Sequence, residues 1–318
     1  MHKISRFLIK LSVKNFFIKT VKVVGILFIV AFIFYAVFFS NKFVVFSISA
    51  VKIYALTVLP LTLPFLTATQ IFTFFIDKNT VLKPLKSLSK NFSFNAEILL
   101  ILLQNLLIGY PFGIKSLITV YRNRAINEFE LERAVKYAYI PSPLLIIGAV
   151  GILSFNSIKI GVLIYASIFL STVLLSPLFN KNISKLYSIN LIEQKANDER
   201  VFIAVKSVLI SLAVSTFLFT YLNIFNSFTA INNLPSTFKG VIFGLIDTTF
   251  GCLFFTTPTP FIISICAFLF SIGGLYILAF SLYLLHKEKI NARGFLIYKI
   301  TQALFSFVFC YLFIVIFN

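Results

Sequence analysis

Two ionisable side chains stand inside long apolar runs of this chain, and each has helix-breaking residues around it. Lys115 belongs to Ile108-Gly109-Tyr110-Pro111-Phe112-Gly113-Ile114-Lys115-Ser116, between the apolar stretches Ile98–Ile108 and Leu117–Val120. Asp247 belongs to Gly244-Leu245-Ile246-Asp247-Thr248-Thr249-Phe250-Gly251. A lysine near the centre of a bilayer costs about 2.5–3.5 kcal/mol on insertion scales. Gly and Pro interrupt helices. Non-helical backbone persists at membrane depth only where protein covers it or water reaches it. Both segments therefore read as broken, cavity-lining elements, and the chemistry they offer is binding. The simpler alternative for the first is a kinked span with Lys115 snorkelling to the interface.

If the two segments meet at the midplane, their parts have definite uses. Backbone N–H groups at a broken helix start favour an anion, and Lys115 supplies a positive charge for a carboxylate. Gln104, Asn105, Ser116, Ser142, Thr248 and Thr249 exchange hydrogen bonds with a cargo. Tyr110 offers a ring for a planar molecule to stack on. Gly109, Pro111, Gly113 and Gly251 belong to the same substrate-binding set, as the turns whose backbone faces the cargo. Asp247 is the acid deep inside a span; it can couple to H+ or Na+, pair with Lys115, or cap a helix within the broken segment. Lys52, by contrast, snorkels or lines its own segment. Gly273 and Gly274 point to close helix packing.

Enzyme chemistry finds no footing. No His–Ser arrangement, paired acid or metal cluster lies at membrane depth, and an intramembrane enzyme needs a convergent nucleophile and base. Cys252, Cys266 and Cys310 lack metal-ligand spacing and read as small buried side chains. His2 and His286 adjoin basic loops far apart in the chain. No Gly-rich phosphate loop is present for ATP-driven pumping. No metal and no cofactor are expected, apart from H+ or Na+ as a coupling ion.

The elements that must position these residues follow from composition and charge. The chain has 318 residues, 59% of them hydrophobic, and a mean hydropathy of +0.98. Soluble domains carry about 45–50% apolar residues, so this is an all-α polytopic membrane protein embedded in lipid. The formal charge of +18 is spread over short loops between apolar runs. That is the positive-inside pattern, not a nucleic-acid surface.

Residues 1–22 are basic and amphipathic, read either as an interfacial helix or as a disordered tail. Residues 23–318 form one integral domain, with halves at about 43–178 and 201–317. Val23–Phe39 is the first span, and the six basic residues before it put the N-terminus in the cytoplasm. Phe43–Phe75 makes one crossing with a break near Leu59–Pro64. Ile98–Val120 has basic flanks on both sides and so enters and leaves from the cytoplasm as a re-entrant hairpin. Asn127-Glu128-Phe129-Glu130 begins a capped helix. Tyr137–Leu153 crosses outward, Ile160–Leu178 inward and Val201–Ile224 outward. Gly240–Phe255 is a second hairpin, entered from outside. Phe261–Leu285 crosses inward and Phe295–Phe317 outward. The sum is seven spans and two hairpins in an inverted-repeat arrangement, with binding elements at the midplane.

Several stretches, taken in order, carry a resemblance. They are Leu59-Pro60 through Leu63-Pro64-Phe65, Gly109–Lys115, Glu132-Arg133, Pro143, Gly148–Gly151, Gly244–Gly251 and Ser271–Leu275. Over roughly Ala50 to Gln302 they resemble the sporulation integral membrane protein family of the YlbJ type. That family carries nucleoside-recognition (Gate) domains and is similar in architecture to concentrative nucleoside transporters. The resemblance implies a bacterial cell-membrane or forespore-membrane transporter of a small, planar, often anionic molecule, dipicolinate in the sporulation branch. It leaves nucleoside transport, or a non-transporting assembly role with sporulation partners or as a homo-oligomer, as alternatives. This sequence departs from the family pattern in places. The family usually has Glu where Asp247 stands. Tyr139-Ile140-Pro141-Ser142 replaces an Asn before the proline. Leu278 and Phe280 stand where a polar Gln or His tends to follow the glycine pair.

Overall fold

A computed structural model describes residues 23, 25–60, 63–64, 84–85, 94–179 and 200–317. The basic stretch 1–22, most of the lysine-bearing loop before the first hairpin, and the loop 180–199 lie outside the described residues. Of the expected break near Leu59–Pro64, residues 61–62 lie outside the described residues, and so does the whole run 65–75 beyond it. The regular structure is all helical among the described residues.

The elements in order are α1 (Gly25–Phe38), α2 (Ser40–Ile53, running into a wide turn Tyr54–Val58), α3 (Ala96–Ile108), α4 (Phe112–Arg122) and α5 (Glu128–Ala138). A π-helical segment Leu145–Ser154 follows, then α6 (Ile158–Leu178) and α7 (Arg200–Asn226). The chain ends with α8 (Ser236–Ile246), α9 (Thr248–Cys252), α10 (Pro260–Ile272), α11 (Gly274–Lys287) and α12 (Arg293–Phe317).

Local chemistry sets many of these boundaries. Asn127 accepts from the Glu130 amide while the Glu130 carboxylate accepts from the Asn127 amide, so the expected capped start of α5 is a complete capping box. Asn95, Ser157 and Thr259 cap α3, α6 and α10 in the same way through one side-chain oxygen each. Pro260 opens α10, where its missing N–H costs nothing. Gly273, at φ 81°, closes α10 in the left-handed region that a side chain would resist.

Three described helices are long and apolar enough to cross a membrane: Ile158–Leu178, the nearly continuous rod Pro260–Lys287, and Arg293–Phe317. The shortest has 21 residues, about 31 Å at 1.5 Å per residue, against a hydrocarbon core of about 30 Å. The pair α1 and α2 meets at a 114° bend and, taken as one span, makes up to four among the described residues. Val23–Phe39, expected as the first span, is helical over Gly25–Phe38 and meets the next helix at that bend. One expectation is corrected: Tyr137–Leu153 is not one continuous helix. Helix α5 ends at Ala138, and the regular segment that follows is the ten-residue Leu145–Ser154. Pro141 and Pro143 explain this, since each removes a donor and pushes the preceding residue out of the helical region.

Helices α6, α10 and α12 pack together as the centre of the molecule, with Leu145–Ser154 against α6. Their shared core holds Ile146, Ile164, Ile168, Ile263, Ala267 and Phe270. A second core joins α3, α4 and α5 to the turn after α11 through Phe94, Ile98, Leu117, Leu131, Leu285 and Phe295. A third joins α2, α7, α8 and α9 through Ala50, Phe219, Phe243 and Phe250.

Candidate functional site

Helices α3 and α4 form a hairpin, and both of its ends lie on one face. Phe94, just before α3, meets the Tyr137 ring edge-on at 5.2 Å and lies under the Arg133 guanidinium at 4.7 Å. At the other end Arg122 donates to Glu288, just past α11, at 2.9 and 2.5 Å. The tip between them is Gly109-Tyr110-Pro111, with a cis bond before Pro111.

That tip docks on the open C-terminal end of α5. Asn105 joins the two arms, accepting from the Gly113 amide at 2.8 Å and donating to the Ala138 carbonyl at 2.6 Å. The Tyr110 amide donates to the Ile140 carbonyl at 2.8 Å. The Lys299 ammonium of α12 donates to the Tyr139 carbonyl at 3.1 Å. Three consecutive carbonyls past the end of α5 are thus satisfied by a side-chain amide, an ammonium and a backbone amide, as buried backbone requires. Gly109, at φ 82°, presses on the backbone of Pro141 and Ser142.

The second hairpin is built from glycine contacts. Gly251 of α9 lies on Gly244 and Gly240 of α8, and Gly240 faces the Phe255 ring. Small residues at these points let the backbones close up. The tip is Asp247, whose Oδ1 accepts from the Phe250 amide at 3.0 Å and caps α9. The capping role anticipated for Asp247 is therefore present.

The two tips meet at the break between α10 and α11. The Tyr110 hydroxyl donates to the Phe270 carbonyl at 3.1 Å, and the Tyr139 hydroxyl to the Ile272 carbonyl at 2.6 Å. Gly273 lies against both tyrosines, whose rings are tilted by 31° with centroids 4.9 Å apart. Gly274 lies against the Ile246 carbonyl and the Asp247 Cα from the other side. Tyr110 and Tyr276 are within electrostatic reach of the Asp247 carboxylate, and the Tyr110 hydroxyl is also beside Thr248. The glycine pair does pack closely, and it does so where both hairpins touch.

Of the sequence-selected residues, Gly109, Tyr110, Asp247 and Thr248 come together here. Asn105, 1% exposed, is spent inside the first hairpin. Gly113 is buried against it, and Pro111 begins α4. Ser142 is buried and accepts from the Leu145 amide at 3.2 Å, opening the next segment. Gly251 is a packing glycine, while Thr249, Gln104 and Ser116 are half-buried. Lys115 departs from its expected role: it lies on the exposed face of α4 with its ammonium 5.2 Å from the centroid of the Phe280 ring, not at the meeting point with Asp247. Lys115 stands about one helical turn beyond Pro111, so it is carried past the tip along α4. Lys52 is exposed on α2, consistent with snorkelling.

Sequence reading missed Lys299 and Gln302, both at most 1% exposed. The signal was present as Lys299, Gln302, Ser306 and Cys310 along one face of an otherwise apolar helix, opposite Ser167, Ser171, Thr172 and Ser176 of α6. Gln302 donates to Thr172 at 2.9 Å and to Ser171 at 3.2 Å. Ser306 joins Ser171 and Ser271 at 2.6 and 2.7 Å, and Ser176 joins Tyr298 at 2.9 Å.

An all-helical integral membrane protein with two opposed hairpin tips on a broken helix is what the fold and site define. Compared with protein-family models, curated proteins and solved structures, the chain finds no match in any of the three.

Proposed function

We propose that this protein is a secondary membrane transporter, and that the junction of Tyr110, Asp247 and Gly273-Gly274 is where cargo and coupling ion engage. The observation that carries this reading is the meeting of two interrupted segments, from opposite faces, at the interruption of a third. Discontinuous helices at mid-membrane are how transporters present free backbone dipoles to a cargo. Asp247 takes the coupling role, for H+ or Na+, because it is the carboxylate at the junction. The cargo class, small, planar and anionic like dipicolinate, comes from the resemblance to the YlbJ-type family, as do action in endospore formation and placement in a bacterial cell or forespore membrane. In this reading the chain has about seven spans with the two hairpins in inverted repeat. The face bearing Arg122, Lys136 and Glu288 is cytoplasmic, because basic loops collect there.

One observation favours a second reading, a membrane assembly protein that moves no cargo. The carbonyls freed at the α10 break, Phe270 and Ile272, already accept from tyrosines of the chain itself.

Accumulation of labelled dipicolinate and labelled nucleosides in cells expressing the chain separates these readings. Dipicolinate uptake, abolished by Asp247→Asn and kept by Lys115→Ala, is the expected result. Nucleoside uptake with the same Asp247 dependence changes the cargo and keeps the site. Uptake indifferent to Asp247→Asn removes the site. No flux of either, with the protein in the membrane, supports the assembly role.

A further inference from the structure

Lys299 has no part in the hairpin junction as a cargo site, yet it is the most enclosed charge of the described chain. Its stem lies in the second turn of α12 and the residue is 1% exposed. The ammonium donates to the Tyr139 carbonyl at 3.1 Å and to Gln302 Oε1. It also stands over two ring faces, 4.4 Å from the centroid of Tyr139 and 5.6 Å from that of Tyr298. None of these partners carries a negative charge.

The surroundings are built rather than incidental. Gln302 uses its amide N–H groups on Thr172, Ser171 and the Ile168 carbonyl, which leaves its oxygen facing Lys299. The Tyr139 carbonyl closes the C-terminal end of α5, where the helix dipole is negative. A main-chain carbonyl, an amide oxygen and two aromatic faces are neutral groups that each attract a cation. They also converge where the chain between α5 and Leu145 is unwound.

We infer that Tyr139, Gln302 and Tyr298 form a monovalent-cation site, and that the Lys299 ammonium is its tethered occupant. Held there, the charge bolts α12 to the chain break on which the first hairpin docks. This inference does not depend on the transport reading, because its readout is stability and not flux.

The test compares wild type, Lys299→Ala, Lys299→Met and Lys299→Arg as purified full-length protein in detergent. Thermal unfolding is followed in the chlorides of choline, sodium, potassium, ammonium and methylammonium at equal ionic strength. The wild-type midpoint is expected to be the same in all five. Lys299→Ala, which empties the site, should melt about 5 °C lower in choline. It should regain at least half of that loss, saturably, in ammonium or methylammonium. Lys299→Met fills the space with an apolar stem and should not respond. A Lys299→Ala protein that melts with wild type, or whose loss is equal in all five salts, overturns the site. Should Lys299→Ala yield no folded protein, the remaining pair decides. Folded Lys299→Arg beside unfolded Lys299→Met supports a required charge, and equal behaviour of the two overturns it.

Discussion

At the scale of the residue, the glycines do the most specific work. Gly109 combines a left-handed φ of 82° with backbone contact to Pro141 and Ser142, so a methyl group there meets atoms that cannot swing aside. Gly25 has nothing within 4 Å of where a Cβ would stand. Gly109→Ala is expected to cost about 3 kcal/mol or more, or to abolish folded yield, because strain and overlap add. Gly25→Ala should melt within error of wild type. Equal effects, read by thermal unfolding and gel filtration in detergent, would mean that the tip is not held as described. Asn105 tells a second residue-scale story. Its type was right for a cargo ligand, but both ends of the amide are occupied by Gly113 and Ala138.

At the scale of the element, the recurring device is a helix that stops early and leaves carbonyls for another element to satisfy. The end of α5 is closed by Asn105, Lys299 and Tyr110, and the end of α10 by Tyr110 and Tyr139. Tyr110 therefore serves both breaks, with its amide on one and its hydroxyl on the other. Tyr110→Phe and Tyr139→Phe each remove one buried donor, at about 1 kcal/mol apiece. Because the two hydroxyls hold the same helix end and the rings touch, the double variant should depart from additivity by about 0.5 kcal/mol or more. Strict additivity in denaturation of the double-mutant cycle would show that the two tyrosines act independently.

At the scale of the whole molecule, the contacts assign faces. The Arg122–Glu288 ion pair and the bond from Lys136 to the Phe179 carbonyl at 2.9 Å bring the ends of α4, α6 and α11 and the body of α5 to one side. The turn at Asn156, at the other end of α6, and the exposed loop around Thr257 lie on the opposite side, joined by the core that holds Phe155 and Phe255. The native cysteines are all buried, so a new exposed thiol is readable above them. Asn291→Cys should react with an impermeant maleimide from one side of sealed vesicles, and Asn156→Cys and Thr257→Cys from the other. Labelling of all three from one side would overturn this assignment.

The sequence by itself determined the solvent, the helical class and the places where helices must stop. Those follow from local quantities: hydropathy summed over about 20 residues, the cap at Asn127, and the glycines and proline at 109, 111 and 113. It also pointed to Asp247 and Tyr110, because polar groups in apolar runs are costly unless used. A window of apolar residues does not show the 114° bend at Phe39 or the place where the helix before Tyr139 ends. Only the tertiary structure decided which polar groups were already engaged. Asn105 and Lys299 are satisfied by carbonyls 33 and 160 residues away in the chain, and Lys115 is turned toward Phe280 instead of Asp247. Partners that distant are set by how the helices pack, and no local pattern carries that information.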